Sequence, residues 1–147
     1  NKTASKVSVD VGVSAMTDVT GFGFLGHLRE LCEASGVRAR VHAGALPVMD
    51  GVFEAIESGH VPAGTRRNLA YVQPVCFFEP DVTEAQTWLL ADAQTSGGLL
   101  IAVDPNKAQR LYERLMEAGV SETAIVGSLV EPEAEAPHVI PPQEKTI

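Results

Sequence analysis

Cysteine is scarce in this chain: 147 residues hold only Cys32 and Cys76. Neither belongs to a CxxC pair or stands at a finger-like interval from a histidine, which excludes a cysteine-based zinc module. Both fall in apolar surroundings and read as small buried hydrophobes, in a reduced, cytoplasmic protein. Basic excess is also missing. The formal net charge is −8, and residues 71–147 carry all of it, with twelve acidic and four basic side chains. That balance argues against nucleic acid, whose readers present a basic patch, and against an anionic membrane. No apolar run approaches the roughly 18 residues of a membrane span, and no signal peptide is expected. There is no P-loop GxxxxGK[ST], and no spacing supports a Ser-His-Asp or Cys-His nucleophile. His27, His42, His60 and His138 are scattered without ligand spacing, and His27 is expected on a surface or partner-facing side of a helix.

What the chain does have is one concentrated corner. Ala15-Met16-Thr17-Asp18-Val19-Thr20 is a polar approach, Gly21, Gly23 and Gly26 follow, and an apolar-periodic segment begins. The order sets a carboxylate, Asp18, beside a helix N-terminus, whose N–H groups and dipole favour anions such as phosphate. Thr17 and Thr20 add hydroxyls. A hard cation such as Mg²⁺ takes oxygen ligands, commonly one or two carboxylates together with substrate phosphates. Asp18 would then be a partial ligand, and the simple rival reading is an Asp that caps a helix. A second polar loop, Gln94-Thr95-Ser96-Gly97-Gly98, has the small residues of an anion nest or of a tight turn before a strand. The Arg66-Arg67 turn reads as a solvated pair. Gly21-Phe22-Gly23-Phe24-Leu25-Gly26 spells GxGxxG, but Thr17-Asp18-Val19-Thr20 ahead of it is no buried strand. The nearest plausible acid for the required spacing of roughly 20 positions, Asp50, lies in an expected helix, so a dinucleotide fingerprint is the weaker reading.

Along the chain, alternation over Val7–Val11 predicts a strand, or the tail of a helix, and residues 12–20 a loop. Phe22, Leu25, Leu28, Leu31 and Cys32 predict a helix over 21–35, stopped at Gly36. Residues 37–43 alternate as a half-buried strand. Pro47 opens an expected helix to Gly59, with Val48, Met49, Val52, Phe53 and Ile56 inward. Residues 60–70 read as an irregular connection and Tyr71–Phe78 as a strand or buried extended segment. A helix follows from Thr83 to Leu90, then the strand 99–103 and a helix from Asp104-Pro105 to Gly119. Strands are expected at 124–130 and 138–140, and disorder over 141–147. Strands alternating with helices predict one α/β layered domain over residues 1–140, a mixed β-sheet covered by helices.

Four segments, in order, resemble the selenide, water dikinase (selenophosphate synthetase) family. They are Thr17-Asp18-Val19-Thr20-Gly21-Phe22-Gly23 with Gly26-His27-Leu28, then Pro62-Ala63-Gly64-Thr65 with Asn68, then Asp92 to Leu100, and Ala124-Ile125-Val126-Gly127. Ala93 stands where the family often has proline. The resemblance implies the C-terminal domain of a two-domain, usually dimeric enzyme in the aminoimidazole ribonucleotide synthetase-like superfamily. Such an enzyme makes selenophosphate, AMP and phosphate from ATP, selenide and water with Mg²⁺. The family's metal-binding aspartate falls on Asp18, while its nucleophile and essential lysine belong to an N-terminal half. The start at Asn1 without methionine is what a piece of a longer protein would have. This domain is expected to close the nucleotide site and to be inactive alone, with Thr17, Thr20, Gly21, Gly23, Gln94, Thr95, Ser96, Gly97 and Gly98 near the phosphates. A stand-alone module binding a phosphorylated metabolite is the rival from another class.

Overall fold

Valines 7 and 11 lie one helical turn apart, and their packing against a distant helix makes the first element helical and not extended. In the computed structural model, which describes residues 1–132 and the backbone of 139–140, helix α1 runs Lys2–Val11. Val7 and Val11 pack on Leu111 and Leu115 of helix α6 (Pro105–Glu117), and Val9 between them is 64% exposed. The alternation that predicted a strand is thus a helical i, i+4 pair with a solvent-facing valine between. Strand β1 (Ala15–Asp18) occupies part of the expected loop 12–20 and pairs antiparallel with β3 (Leu99–Ala102), Asp18 opposite Leu99.

Helix α2 (Gly23–Ser35) follows the predicted apolar stripe from Leu25 on, with Leu25 and Leu28 buried, and ends on left-handed Gly36, while Phe22, expected on the stripe, is the helix's exposed N-cap. Strand β2 (Arg38–His42) buries Ala39 and Val41 and pairs antiparallel with β4 (Gly127–Val130) and parallel with β5 (Val139–Ile140). Residues 124–126 lie outside β4, and the expected strand residue His138 and the tail 141–147 lie outside the described residues. The α/β layering is as expected, but the strands are divided: a two-stranded ribbon β1-β3 and a mixed sheet β4-β2-β5.

Two further expectations are corrected. The helix expected from Pro47 is only α3, Val52–Glu57, because left-handed Gly51 breaks the path, and Met49 is 80% exposed. Residues 63–72, expected to be irregular up to Tyr71, form helix α4 (Ala63–Val72) instead, followed by a short 3₁₀ turn over Gln73–Val75 with no strand. Helix α5 (Glu84–Ala91) begins where expected, closed by a reciprocal Thr83–Gln86 capping box. The main core joins Leu25 and Leu28 of α2, Ala39 and Val41 of β2, Val72 of α4 and Leu90 of α5.

Candidate metal and phosphate corner

The two glycine loops, some seventy residues apart in the chain, are stitched together through their backbones. Beyond Asp18, the Val19 N–H donates to the Gly98 carbonyl and the Val19 carbonyl accepts from Gly97 N–H, both at 3.0 Å. The Thr20 carbonyl then accepts from Gln94 N–H and from Gly23 N–H, again at 3.0 Å. The antiparallel pairing of β1 and β3 therefore runs on past the strand ends. Two glycines are needed for this closeness. A Cβ on Gly97 would stand 2.9 Å from the Val19 carbonyl oxygen. One on Gly23, at φ +70°, would stand 2.6 Å from the Asp92 carbonyl oxygen.

Helix α4 braces both loops from behind. The buried Thr65 hydroxyl donates to Asp92 Oδ1 at 2.6 Å and accepts from Ala93 N–H at 3.3 Å. The Asn68 amide donates to the Gly21 carbonyl at 2.8 Å and the Ala91 carbonyl at 3.1 Å. The Gln94 amide donates to the other Asp92 oxygen at 2.9 Å. Thr65, Asn68 and Asp92 were not among the site residues predicted. The signal of the first two, polar residues at helical spacing, hid the helix α4 that carries them, and Asp92 follows the end of α5.

Asp18 ends β1 as an exposed side chain. Among the described residues no ion pair or hydrogen bond engages its carboxylate, so it is neither a helix cap nor an internal anchor. Thr17 is beside it, its hydroxyl 3.4 Å from the Asp18 carbonyl. One free carboxylate with nearby hydroxyls suits a hard cation that takes its other oxygens from phosphates or from another part of the protein. No group of three His, Cys, Asp or Glu stands together among the described residues.

The anion-nest expectation for the second loop is narrowed by the stitching. The N–H groups of Gln94 and Gly97 are engaged with the first loop, and those of Thr95 and Ser96, both exposed, have no partner among the described residues. The N-terminus of α2 has no side-chain cap, and the carbonyl end of α5 lies against it at Gly23, opposite dipole ends meeting. Gly21 has open space around it. Arg66 and Arg67 are exposed, with the Arg66 guanidinium 5.3 Å from the centre of the Trp88 ring.

His27, expected at a surface, is instead buried, with Nε2 3.2 Å from the Thr20 hydroxyl and Nδ1 3.4 Å from Glu30. It lines an open groove of about 200 Å³ between β1 and α2, with Met16, Thr17, Glu30 and Leu31. The cysteines, predicted to be buried hydrophobes, are half-buried at the edge of the main core. Burial pushes the Cys76 thiol up to about 11, against the pull of Arg29, and raises Cys32 as well. Neither is poised as a thiolate.

The family model "AIR synthase related protein, C-terminal domain" matches residues 2–140. Among curated proteins, the chain is 44% identical over 141 residues to a selenide, water dikinase of Pasteurella multocida, covering 95% of this chain and 39% of that protein. It is 49% identical over 120 residues to the enzyme of the same name from Escherichia coli O157:H7, covering 81% of this chain and 33% of the relative. A Haemophilus ducreyi selenide, water dikinase is 45% identical over 108 residues, 73% of this chain and 30% of that protein. The chain thus spans about a third of the length of the curated relatives it matches.

Proposed function

Because this chain belongs to the AIR synthase related family as a C-terminal domain, we propose that it is the closing half of a selenide, water dikinase. From ATP, selenide and water the full-length enzyme would form selenophosphate, AMP and phosphate, one phosphoryl group passing to selenide and the other to water. An N-terminal part would supply the nucleotide-binding surface and the nucleophile. The assembled protein would be a cytoplasmic homodimer.

The observation that carries this reading is the exposed, unengaged carboxylate of Asp18 at the tip of β1, held by a corner whose other polar groups are largely spent on bracing it. A magnesium ion there would neutralise phosphate charge. Asp18 would provide it with one oxygen, Thr17, Thr95 and Ser96 would border the phosphates, and Thr20 would lie beside the cation. Phosphoryl transfer depends mainly on positioning and charge neutralisation, so a rigid wall with one well-placed carboxylate is a sufficient contribution from this half. Half-buried thiols with raised pKa values agree with a nucleophile located elsewhere.

Replacement of Asp18 in the full-length enzyme is the test. Asp18→Asn is expected to lower selenophosphate formation by about a hundredfold or more, the scale of losing a charged transition-state contact. Its unfolding curve should match the parent's, since the side chain is exposed. Undiminished turnover at ordinary magnesium would overturn the ligand role. Robust ATP turnover by residues 1–147 alone would overturn the closing-half reading in favour of a self-sufficient module.

A further inference from the structure

We infer that His27 and Glu30 are positioning residues for the Thr20 hydroxyl, holding it as a donor to the imidazole so that its oxygen lone pairs serve the cation corner beside Asp18. The inference rests on the magnesium-site reading above and deepens it. Three observations carry it. First, His27 is 8% exposed and its Nε2 lies 3.2 Å from Thr20 Oγ1, while the Phe22 ring covers it with centroids 5.6 Å apart. Such an imidazole has little freedom to turn. Second, Glu30 Oε2 lies 3.4 Å from the other ring nitrogen, Nδ1. That is long for a hydrogen bond, but a negative charge there favours the ring proton on Nδ1. In the neutral ring Nε2 is then the bare acceptor, and the proton that fills the 3.2 Å contact is the threonine's own.

Third, the backbone ties of Val19 to Gly97 and Gly98 continue the β-pairing one residue past Asp18. Asp18 and Thr20 are the two neighbours of the buried Val19, one on either side of it in the chain. The Thr20 carbonyl is held twice, by Gln94 and Gly23, so the residue cannot swing away. A hydroxyl with its proton committed presents only lone pairs to its remaining neighbours, which suits a cation or one of its bound waters and repels a bare phosphate oxygen. A hydroxyl free to rotate would not discriminate. The His27–Glu30 pair thus sets which of the two ligands Thr20 serves.

The full-length enzyme tests this with two independent readouts. In metal-free protein labelled with ¹⁵N-histidine, the His27 resonances are expected to report the Nδ1–H tautomer, and Glu30→Ala should shift them toward Nε2–H. In steady-state assays, Glu30→Ala and Thr20→Val are each expected to raise the KM for magnesium about tenfold with a smaller change in kcat, the scale of one hydrogen bond to a charged group. The double variant should be no worse than Thr20→Val alone. Glu33→Ala, whose partner is Arg29, is the control and stays at the parent value. Glu30 is exposed, so its variant folds even where a His27 replacement would not. An Nε2–H tautomer in the parent protein, a KM for magnesium unmoved by Glu30→Ala, or additive effects in the double variant would each overturn the inference. If Asp18→Asn is silent while the tautomer is as expected, the cation assignment has failed and the hydroxyl is held for structure alone.

Discussion

Thr65 and Asp92 meet at 2.6 Å, hydroxyl to carboxylate, across 27 residues of chain. Thr65 is 1% exposed, and the same hydroxyl accepts from Ala93 N–H. Removing it while preserving shape, in Thr65→Val, strips a buried donor from an ionised acceptor. We expect a loss of about 1–3 kcal/mol in stability, read as a lowered urea midpoint with unchanged slope. A neutral result would mean that water replaces the hydroxyl and that α4 does not brace the loop.

Gly23 and Gly21 should respond in opposite ways to the same methyl group. Gly23 has φ +70°, and its added Cβ would stand 2.6 Å from one carbonyl oxygen and 2.7 Å from another. Left-handed backbone costs an alanine about 1–2 kcal/mol before the clash is counted, so Gly23→Ala should lose more than about 2 kcal/mol. Gly21 has nothing within 4 Å, and Gly21→Ala should stay within about 0.5 kcal/mol of the parent, as open surface sites do. Thermal unfolding of the two proteins side by side checks the contrast.

The Cys76 thiol gives stability an alkaline limb. Its pKa rises from an ordinary 9.0 to about 11 in the folded chain, through burial. Between those values the folded state holds a proton that the unfolded state has lost, so stability falls as pH rises. The contribution is complete below the unfolded value and gone above the folded one. Cys76→Ala should flatten the unfolding midpoint over that window, with the raised Cys32 leaving a residual slope. At pH 8 the native thiols should react slowly with iodoacetamide, and a fast-reacting Cys76 would contradict the burial argument.

Titration with NAD is expected to release no heat. The strand before the glycines, β1, runs antiparallel to its neighbour β3, and Gly23 is packed against the end of α5. A dinucleotide site needs a parallel βαβ unit whose glycines leave the helix N-terminus open to a pyrophosphate. Micromolar NAD binding would reinstate the dinucleotide reading.

Elements whose buried faces are apolar were legible from residue order. The stripe of α2 from Leu25 on, the alternation of β2 and the Asp104-Pro105 opening of α6 stand where predicted; Asp104 caps α6 by accepting from Asn106 N–H at 2.8 Å. Helix α4 was not legible, because the buried positions of its first two turns are Thr65 and Asn68. Those side chains face loops that need donors, so no hydrophobic period marks the helix. Val7–Val11 misled for the converse reason. Its alternation includes the exposed Val9, and only α6 packing against Val7 and Val11 makes it helical.

Asp18, the paired glycine loops and the acidic second half are properties of residue order, since a carboxylate's chemistry and a glycine's freedom are local. The family likeness follows from those same motifs. What holds Asp18 exposed at this corner is not local at all. It depends on Gly97 and Gly98 meeting Val19, on Asn68 holding Gly21, and on His27 reaching Thr20, contacts that form only when distant segments share one core. Hydrogen bonds between remote backbones need close approach, and close approach is set by packing, which residue order constrains without stating.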